Sequence, residues 1–431
     1  MSRFVIRGGR PLAGEIVASG NKNAVLPMLA ATLLTDQEVV LENVPDIRDV
    51  ENMLRVLEHL GADVAREGSV VRVRAERIAT GEIPRELCEL TRTSFLFVGP
   101  LLTRTGRVKV SAPGGDGIGR RRLDAHLYGL RRLGVVVDDA GFEFRAPAAP
   151  DALRGGTLFF DEASVTATEH ILMVAAFAEG ETTLLNAAGE PHVQDLAKLL
   201  VAMGADISGA GSNTLRIRGS GGRLLGGARH RVVSDHIEVG SYLALAAATG
   251  GSISVRDTVR SHYWMTHRVF ERFGLDVRIE PDRVVLPAGQ RARVAADAGG
   301  AIPRVDDGPW PQFPTDLMSA MIVLATQAEG TVLFFEKMFE SRLYFVDPLI
   351  QMGANIIVCD PHRVVVRGPT PLRGQTVRSP DIRAGMALLM GALCASGPPS
   401  IVQNAEVIDR GYERIEEKLR ALGADLVREA D

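Results

Sequence analysis

The chain has 431 residues, 46% of them hydrophobic and 5% aromatic, and a formal net charge of −4 at pH 7. The length exceeds one comfortable core and makes two domains the expectation; the charge argues against a generic nucleic-acid surface, and no apolar run approaches the roughly 18 residues of a membrane span. Three cysteines (Cys88, Cys359 and Cys394) lack metal-ligand spacing and are odd in number, which argues against a disulfide framework, and the N-terminal MSRFVIRGG lacks a signal-peptide apolar core, so a cytoplasmic protein is expected.

The residues before Asn21 are too few for a folding unit and read as a strand completing the second half of the chain. Ser19-Gly20-Asn21-Lys22-Asn23-Ala24 then stands between a β-like run and the apolar helix VLPMLAATLL. A Lys at that junction, backed by helix N-terminal N–H groups, suits an anion; an exposed Lys at a helix start is the ordinary alternative. From here one phrase occurs six times, a helix-like run closing in apolar-Gly and then a short strand-like tail, as in LRVLEHLGADV and LAKLLVAMGADI. Its glycines are Gly61, Gly134, Gly204, Gly274, Gly353 and Gly423, at steps of 73, 70, 70, 79 and 70 residues. Each is placed at the first position past a helix, where positive φ carries no Cβ penalty. A second phrase, an Ala-rich run, a Gly-containing break and a β-rich run, recurs half a unit away, as in AAFAEGETTLLNAA and ATQAEGTVLFFEK. The pattern predicts six α/β units, each of two helices and three or four strands, three units to each half.

Between these signals lie polar residues with less obvious structural reasons. Arg92 interrupts an otherwise apolar helix-like run, LTRTSFLFVG. Pro113-Gly114-Gly115-Asp116-Gly117-Ile118-Gly119-Arg120-Arg121-Arg122 is a Gly-rich loop running into three arginines. It fits neither a Walker P-loop nor a Rossmann turn; it reads as a lid that delivers an acid or as a solvated turn. Asp316, in FPTD, falls at an apparent helix start, where an N-cap or first-turn role is the ordinary explanation. Arg342, Arg383 and Arg410 follow. With Lys22, Arg92 and Arg121 they would suit a small substrate carrying both phosphate and carboxylate, which Arg binds bidentately.

SGNKNAVLP, PGGDGIG, RLDAH, FPTD, FESR, DIRAG and IDRGYERIEEKL, in this order along essentially the whole chain, resemble the enolpyruvyl transferases, and best their nucleotide-sugar branch. The resemblance implies an α/β fold of two inside-out barrels, helices buried and sheets outside, built from six βαβαββ repeats. The domains would be 22–230 and 1–21 plus 231–431. It implies transfer of enolpyruvate from phosphoenolpyruvate to the 3-hydroxyl of UDP-N-acetylglucosamine, by addition and elimination of phosphate, in a monomer needing no metal or cofactor and binding neither nucleic acid nor membrane. Lys22, Arg121 and Arg410 would hold the phosphate, Arg342 and Arg383 the carboxylate, and Arg92 would line the same pocket. Asp316 would be the general base and Asp116 the proton donor to the methylene carbon. Asn23, Arg121, Arg122, Leu123, Asp124, Ser164, Val165, Thr166, Asp316 and Met338 would contact the UDP-sugar, with Glu190 and Asp235 at further polar positions.

The chain departs from the family at several of these positions. Asp116 stands where the loop usually carries Cys, and has no thiol for the epoxide inhibitor fosfomycin to alkylate. The usual Arg-Pro-Val-Asp is Arg121-Arg122-Leu123-Asp124, a usual Lys is Glu162, and a usual Gly is Thr166. One cation is lost near the diphosphate, and Arg122 is the candidate to replace it. A sister transferase acting on shikimate 3-phosphate or another nucleotide acceptor, and a catalytically idle homologue that binds nucleotide-sugar, are the alternatives.

Overall fold

The computed structural model describes residues 2–115, 117–119, 122–147 and 152–430. The chain divides into two compact units. The first takes the described residues of 1–19, 116–121 and 234–431, and the second those of 20–115 and 122–233. Among the described residues each unit contains three small sheets and three apolar helices, so the fold is α/β with mixed sheets.

In the second unit the helices Lys22–Ala31, Val98–Thr105 and Val165–Phe177 are largely buried, and the last packs against the other two. Val165–Phe177 is apolar nearly all round, which places it inside a core. Arg48–His59, Asp124–Arg132 and Pro191–Ala202 are amphipathic and bury one face. The sheets mix parallel and antiparallel pairs: Glu181–Leu185 runs parallel to Thr157–Phe159 and antiparallel to Thr214–Arg218. The unit closes on itself, because its last strand, Ala228–Arg231, runs parallel to its first, Glu38–Glu42.

The first unit repeats the plan. Helices His236–Ala248, Thr315–Gln327 and Ile382–Cys394 pack on one another at its centre. Strand Ser2–Arg7 lies antiparallel between Ser400–Gln403 and Asp425–Ala430, and Ala13–Val17 pairs in parallel with Ser252–Arg256. The N-terminal residues therefore fill places in two of this unit's sheets. No helix among the described residues is long and apolar enough to cross a membrane.

The six repeat glycines all have positive φ, from 66° to 108°. Each ends its helix in the same double hydrogen bond. Gly61 N–H donates to Glu58 C=O and Ala62 N–H to Leu57 C=O, and the pair recurs at Gly134, Gly204, Gly274, Gly353 and Gly423. This is a Schellman cap, which satisfies the last carbonyls and turns the chain into the next strand. One local reading is refined. The run around Arg92 is not continuous α-helix: Arg92–Phe97 is a 3₁₀ segment ahead of Val98–Thr105. The Ser94 hydroxyl donates to the carbonyls of Thr91 and Cys88 at 2.8 and 3.1 Å, a side-chain bond that competes with the helical ladder.

Candidate active site

In the first unit the structure brings Asp316, Arg342 and Arg383 together. Asp316 is the second residue of Thr315–Gln327, but its side chain does not cap that helix. One carboxylate oxygen accepts from Arg342 Nη2 at 2.8 Å, and the other from Arg383 Nε at 3.0 Å and Nη2 at 2.9 Å. The two arginine side chains are 3% and 6% exposed. Arg342 lies 5.2 Å over the Phe339 ring and Arg383 5.3 Å over that of Tyr412, whose hydroxyl meets Ser241 Oγ at 2.9 Å. The two buried guanidinium groups share the Asp316 carboxylate, and Arg383 also hydrogen-bonds the Tyr412 hydroxyl and feels the charge of Asp235. Arg342 Nε and Arg383 Nη1 are also buried without a hydrogen-bond partner. Unmet buried donors are costly, and guanidinium donors of this kind are matched by an anion of carboxylate geometry.

The surroundings hold these groups rigidly. Asp235 caps helix His236–Ala248 by accepting from the N–H groups of Ile237 and Glu238 at 2.8 and 3.1 Å. Burial, then the charge of Arg383, pushes the His236 ring down to about 4, so at neutral pH it adds no further cation. The Glu336 carboxyl accepts from Thr315 Oγ1 at 2.9 Å and from the N–H groups of Met338 and Phe339 at 3.1 Å. It thereby ties the start of the Asp316 helix to the segment leading to Arg342. Burial and the neighbouring Asp307 push it up to about 9. Of the Gly-rich loop, Ile118 is buried and its carbonyl accepts from Ser341 N–H at 3.2 Å.

In the second unit Lys22 opens helix Lys22–Ala31, capped by the Asn21 side chain accepting from Ala24 N–H. It is not an exposed surface Lys: Nζ lies 2.8 Å from Asp49 Oδ2, with both side chains nearly buried. Asn23 follows on the same helix. Arg92, Leu123, His126 and Thr166 line one small recess, and Arg92 Nη2 donates to the Arg122 carbonyl at 3.1 Å. Ser164 is the N-cap residue of helix Val165–Phe177, with Val165 and Thr166 in its first turn. Arg122 and Asp124 are exposed and 3.9 Å apart, and Glu162 is exposed as well. Glu190 precedes helix Pro191–Ala202 at its N-cap position.

Arg410 closes the 3₁₀ segment Ala405–Arg410, which packs on helix Ile382–Cys394, and Met338 is partly exposed. The expectations for Asp116 and Arg121 lie outside the described residues. Sequence reasoning missed Asp49, Tyr412, Ser241, the Asp307–Glu336 pair and two facing histidines, His126 and His170. Of these, His170 left a signal, as an imidazole in the apolar run of helix Val165–Phe177.

Comparison with known proteins now gives the class. Residues 6–419 match the family model of EPSP synthase (3-phosphoshikimate 1-carboxyvinyltransferase), and the chain belongs to that family. Within it, the chain is 48% identical over 426 residues, 99% of either chain, to the UDP-N-acetylglucosamine 1-carboxyvinyltransferase of Borreliella burgdorferi. It is 49% identical over 428 residues to the protein of that name from Bradyrhizobium diazoefficiens, covering 99% of this chain and 98% of the other. Among solved structures, the enolpyruvyl transferase NikO from Streptomyces tendae superposes with a TM-score of 0.87 at 24% identity, covering 100% and 99% of the two chains. An EPSP synthase from Acinetobacter baumannii gives 0.77 at 16%, covering both chains fully. The likeness to these two is one of fold.

Proposed function

We propose that this protein transfers the enolpyruvyl group of phosphoenolpyruvate to the 3-hydroxyl of UDP-N-acetylglucosamine, releasing phosphate. The observation that carries this is near-half identity along the full length to relatives bearing that activity's name. The Asp316–Arg342–Arg383 cluster supplies chemistry that fits it.

In the proposed reaction Arg342 and Arg383 take the phosphoenolpyruvate carboxylate, and Lys22, Arg121 and Arg410 its phosphate, with Arg92 beside them. In this reading the incoming carboxylate uses the unmet Arg342 Nε and Arg383 Nη1 donors and takes over the arginine hydrogen bonds that Asp316 holds. Asp316 then loses its countercharges and becomes a stronger base as substrate seats. It accepts the proton of the sugar 3-hydroxyl, whose oxygen bonds to the central carbon of phosphoenolpyruvate while Asp116 protonates the methylene carbon. The tetrahedral ketal so formed returns a proton from its new methyl group to the Asp116 carboxylate as the C–O bond to phosphate breaks, and the phosphate leaves with the proton that Asp316 took up. The fixed cations stabilise charge on the leaving phosphate. Asn23, Arg122, Leu123, Asp124, Ser164, Val165, Thr166 and Met338 are the proposed acceptor contacts.

We read each unit as an inside-out barrel of three βαβαββ repeats, with domains at 22–230 and 1–21 plus 231–431; three sheets around three buried helices in each unit support this. The proposed setting is the cytoplasm and the first committed step of peptidoglycan synthesis, hence cell-wall biogenesis, cell shape and division, carried out by a monomer. Purified protein is mixed with phosphoenolpyruvate and each acceptor while inorganic phosphate is followed, with Asp316→Ala as control. Release that needs both phosphoenolpyruvate and UDP-N-acetylglucosamine, and is lost in the variant, is expected. Release with shikimate 3-phosphate instead would move the protein to the sister activity.

A further inference from the structure

We infer that two buried histidines fix the Thr166 hydroxyl as a hydrogen-bond donor toward the acceptor's diphosphate, making Thr166 a specificity-determining residue. The inference rests on the acceptor reading above. It begins at Gly99, whose N–H donates to His170 Nε2 at 2.8 Å. A ring nitrogen that accepts carries no proton, so the His170 proton is on Nδ1. That atom faces His126 Nδ1 at 3.1 Å, which must accept and leave the His126 proton on Nε2. His126 Nε2 lies 3.0 Å from Thr166 Oγ1 and donates to it. The Thr166 oxygen is thus used as an acceptor from behind. Among the described residues nothing takes its own proton, which is left for a ligand.

The chain of bonds admits no other protonation. An imidazolium at His170 would set two N–H groups against each other at Gly99; one at His126 would do the same at His170. The environment agrees. Burial pushes His170 down to about 3, and burial, His170 and then Arg92 hold His126 well below its ordinary value. Phe95 sits edge-on to both rings, at 5.3 and 5.6 Å. Gly99 is required for the first bond, since a Cβ there would meet His170 Nε2 at 2.7 Å and collide with Val174.

Thr166 lies in the first turn of a 13-residue helix whose N-cap Ser164 makes no side-chain cap, so first-turn N–H groups are available beside the hydroxyl. A nucleoside diphosphate presents the acceptor oxygens such a donor recognises. In this chain the family's usual Gly is Thr166 and its usual Lys is Glu162, so an aimed neutral donor stands in for part of a lost cation. His126 and His170 are positioning residues; Thr166 is the contact.

The test reads both levels on the full-length protein. Long-range 1H–15N spectra of ¹⁵N-histidine-labelled protein should show His170 protonated on Nδ1 and His126 on Nε2, both uncharged at neutral pH. Calorimetry with UDP-N-acetylglucosamine should show Thr166→Val binding about tenfold more weakly, with Thr166→Ser recovering affinity to within about twofold. A proton on His170 Nε2, an imidazolium at neutral pH, or an unchanged Kd in Thr166→Val overturns the proposal. Wild-type protein that shows these tautomers yet binds no UDP-N-acetylglucosamine sinks the acceptor reading and the role of Thr166 with it, while the ring assignment stands.

Discussion

Replacing Asp316 with Asn should separate two effects that its carboxylate exerts in opposite directions. In the ligand-free chain that carboxylate is the countercharge of Arg342 at 2.8 Å and of Arg383 at 2.9 Å. An amide leaves two buried guanidinium groups facing each other without it. Breaking a buried ion pair costs on the order of 3–5 kcal/mol. Asp316 is itself 23% exposed, which puts the loss near the lower end, about 3 kcal/mol. Phosphoenolpyruvate, whose carboxylate in this reading displaces Asp316 in the wild type, meets unpaired arginines in the variant. If half of that energy returns on binding, its Kd falls by about tenfold. Turnover moves the other way, because loss of a general base costs about 10²–10⁴ in kcat. Calorimetry with phosphoenolpyruvate, thermal unfolding with and without it, and phosphate release together measure all three. Lower stability restored by phosphoenolpyruvate, tighter binding and depressed kcat are expected. Weaker phosphoenolpyruvate binding in a variant of unchanged stability refutes the competition between Asp316 and substrate.

Three other outcomes are expected. Fosfomycin should neither label nor inhibit the protein, since position 116 carries no thiol; stoichiometric labelling seen by mass spectrometry contradicts this. Arg122→Ala should raise KM for UDP-N-acetylglucosamine a few-fold and leave that for phosphoenolpyruvate nearly unchanged, the modest size following from an exposed side chain; equal effects on both substrates count against it. Glu336, pushed up to about 9, holds its proton in the native state where the unfolded chain has released it, so its contribution is full below the ordinary carboxyl range and is lost as pH rises toward 9. Glu336→Gln should flatten that decline in urea unfolding measured from about pH 5 to 9; an equally steep decline in the variant removes Glu336 as its source.

What the sequence revealed follows the range of the interactions. The repeat glycines were legible because a Schellman cap is local: Gly61 and Ala62 bond within the turn that precedes them. The pairing of Asp316 was not, since Arg342 and Arg383 lie 26 and 67 residues away and no spacing rule joins them. Resemblance named these residues; geometry shows the carboxylate already occupying its arginines. Lys22 likewise read as an anion site or an exposed Lys, and only the fold shows Asp49 against it. The His126–His170 contact spans 44 residues and two elements. Arg92 read as interrupting a helix-like run; it opens the 3₁₀ start of that run, where local hydroxyl bonds, which composition does not show, compete with the α-helical ladder.

The most direct test of the proposed reaction is to run it in D₂O with phosphoenolpyruvate and UDP-N-acetylglucosamine and to examine the product by mass and proton NMR. Addition–elimination passes through a methyl group, so an enolpyruvyl ether of the UDP-sugar with deuterium in its vinyl methylene is expected, together with phosphate. An unlabelled vinyl product contradicts the ketal route, and absence of any UDP-sugar product contradicts the proposed function itself.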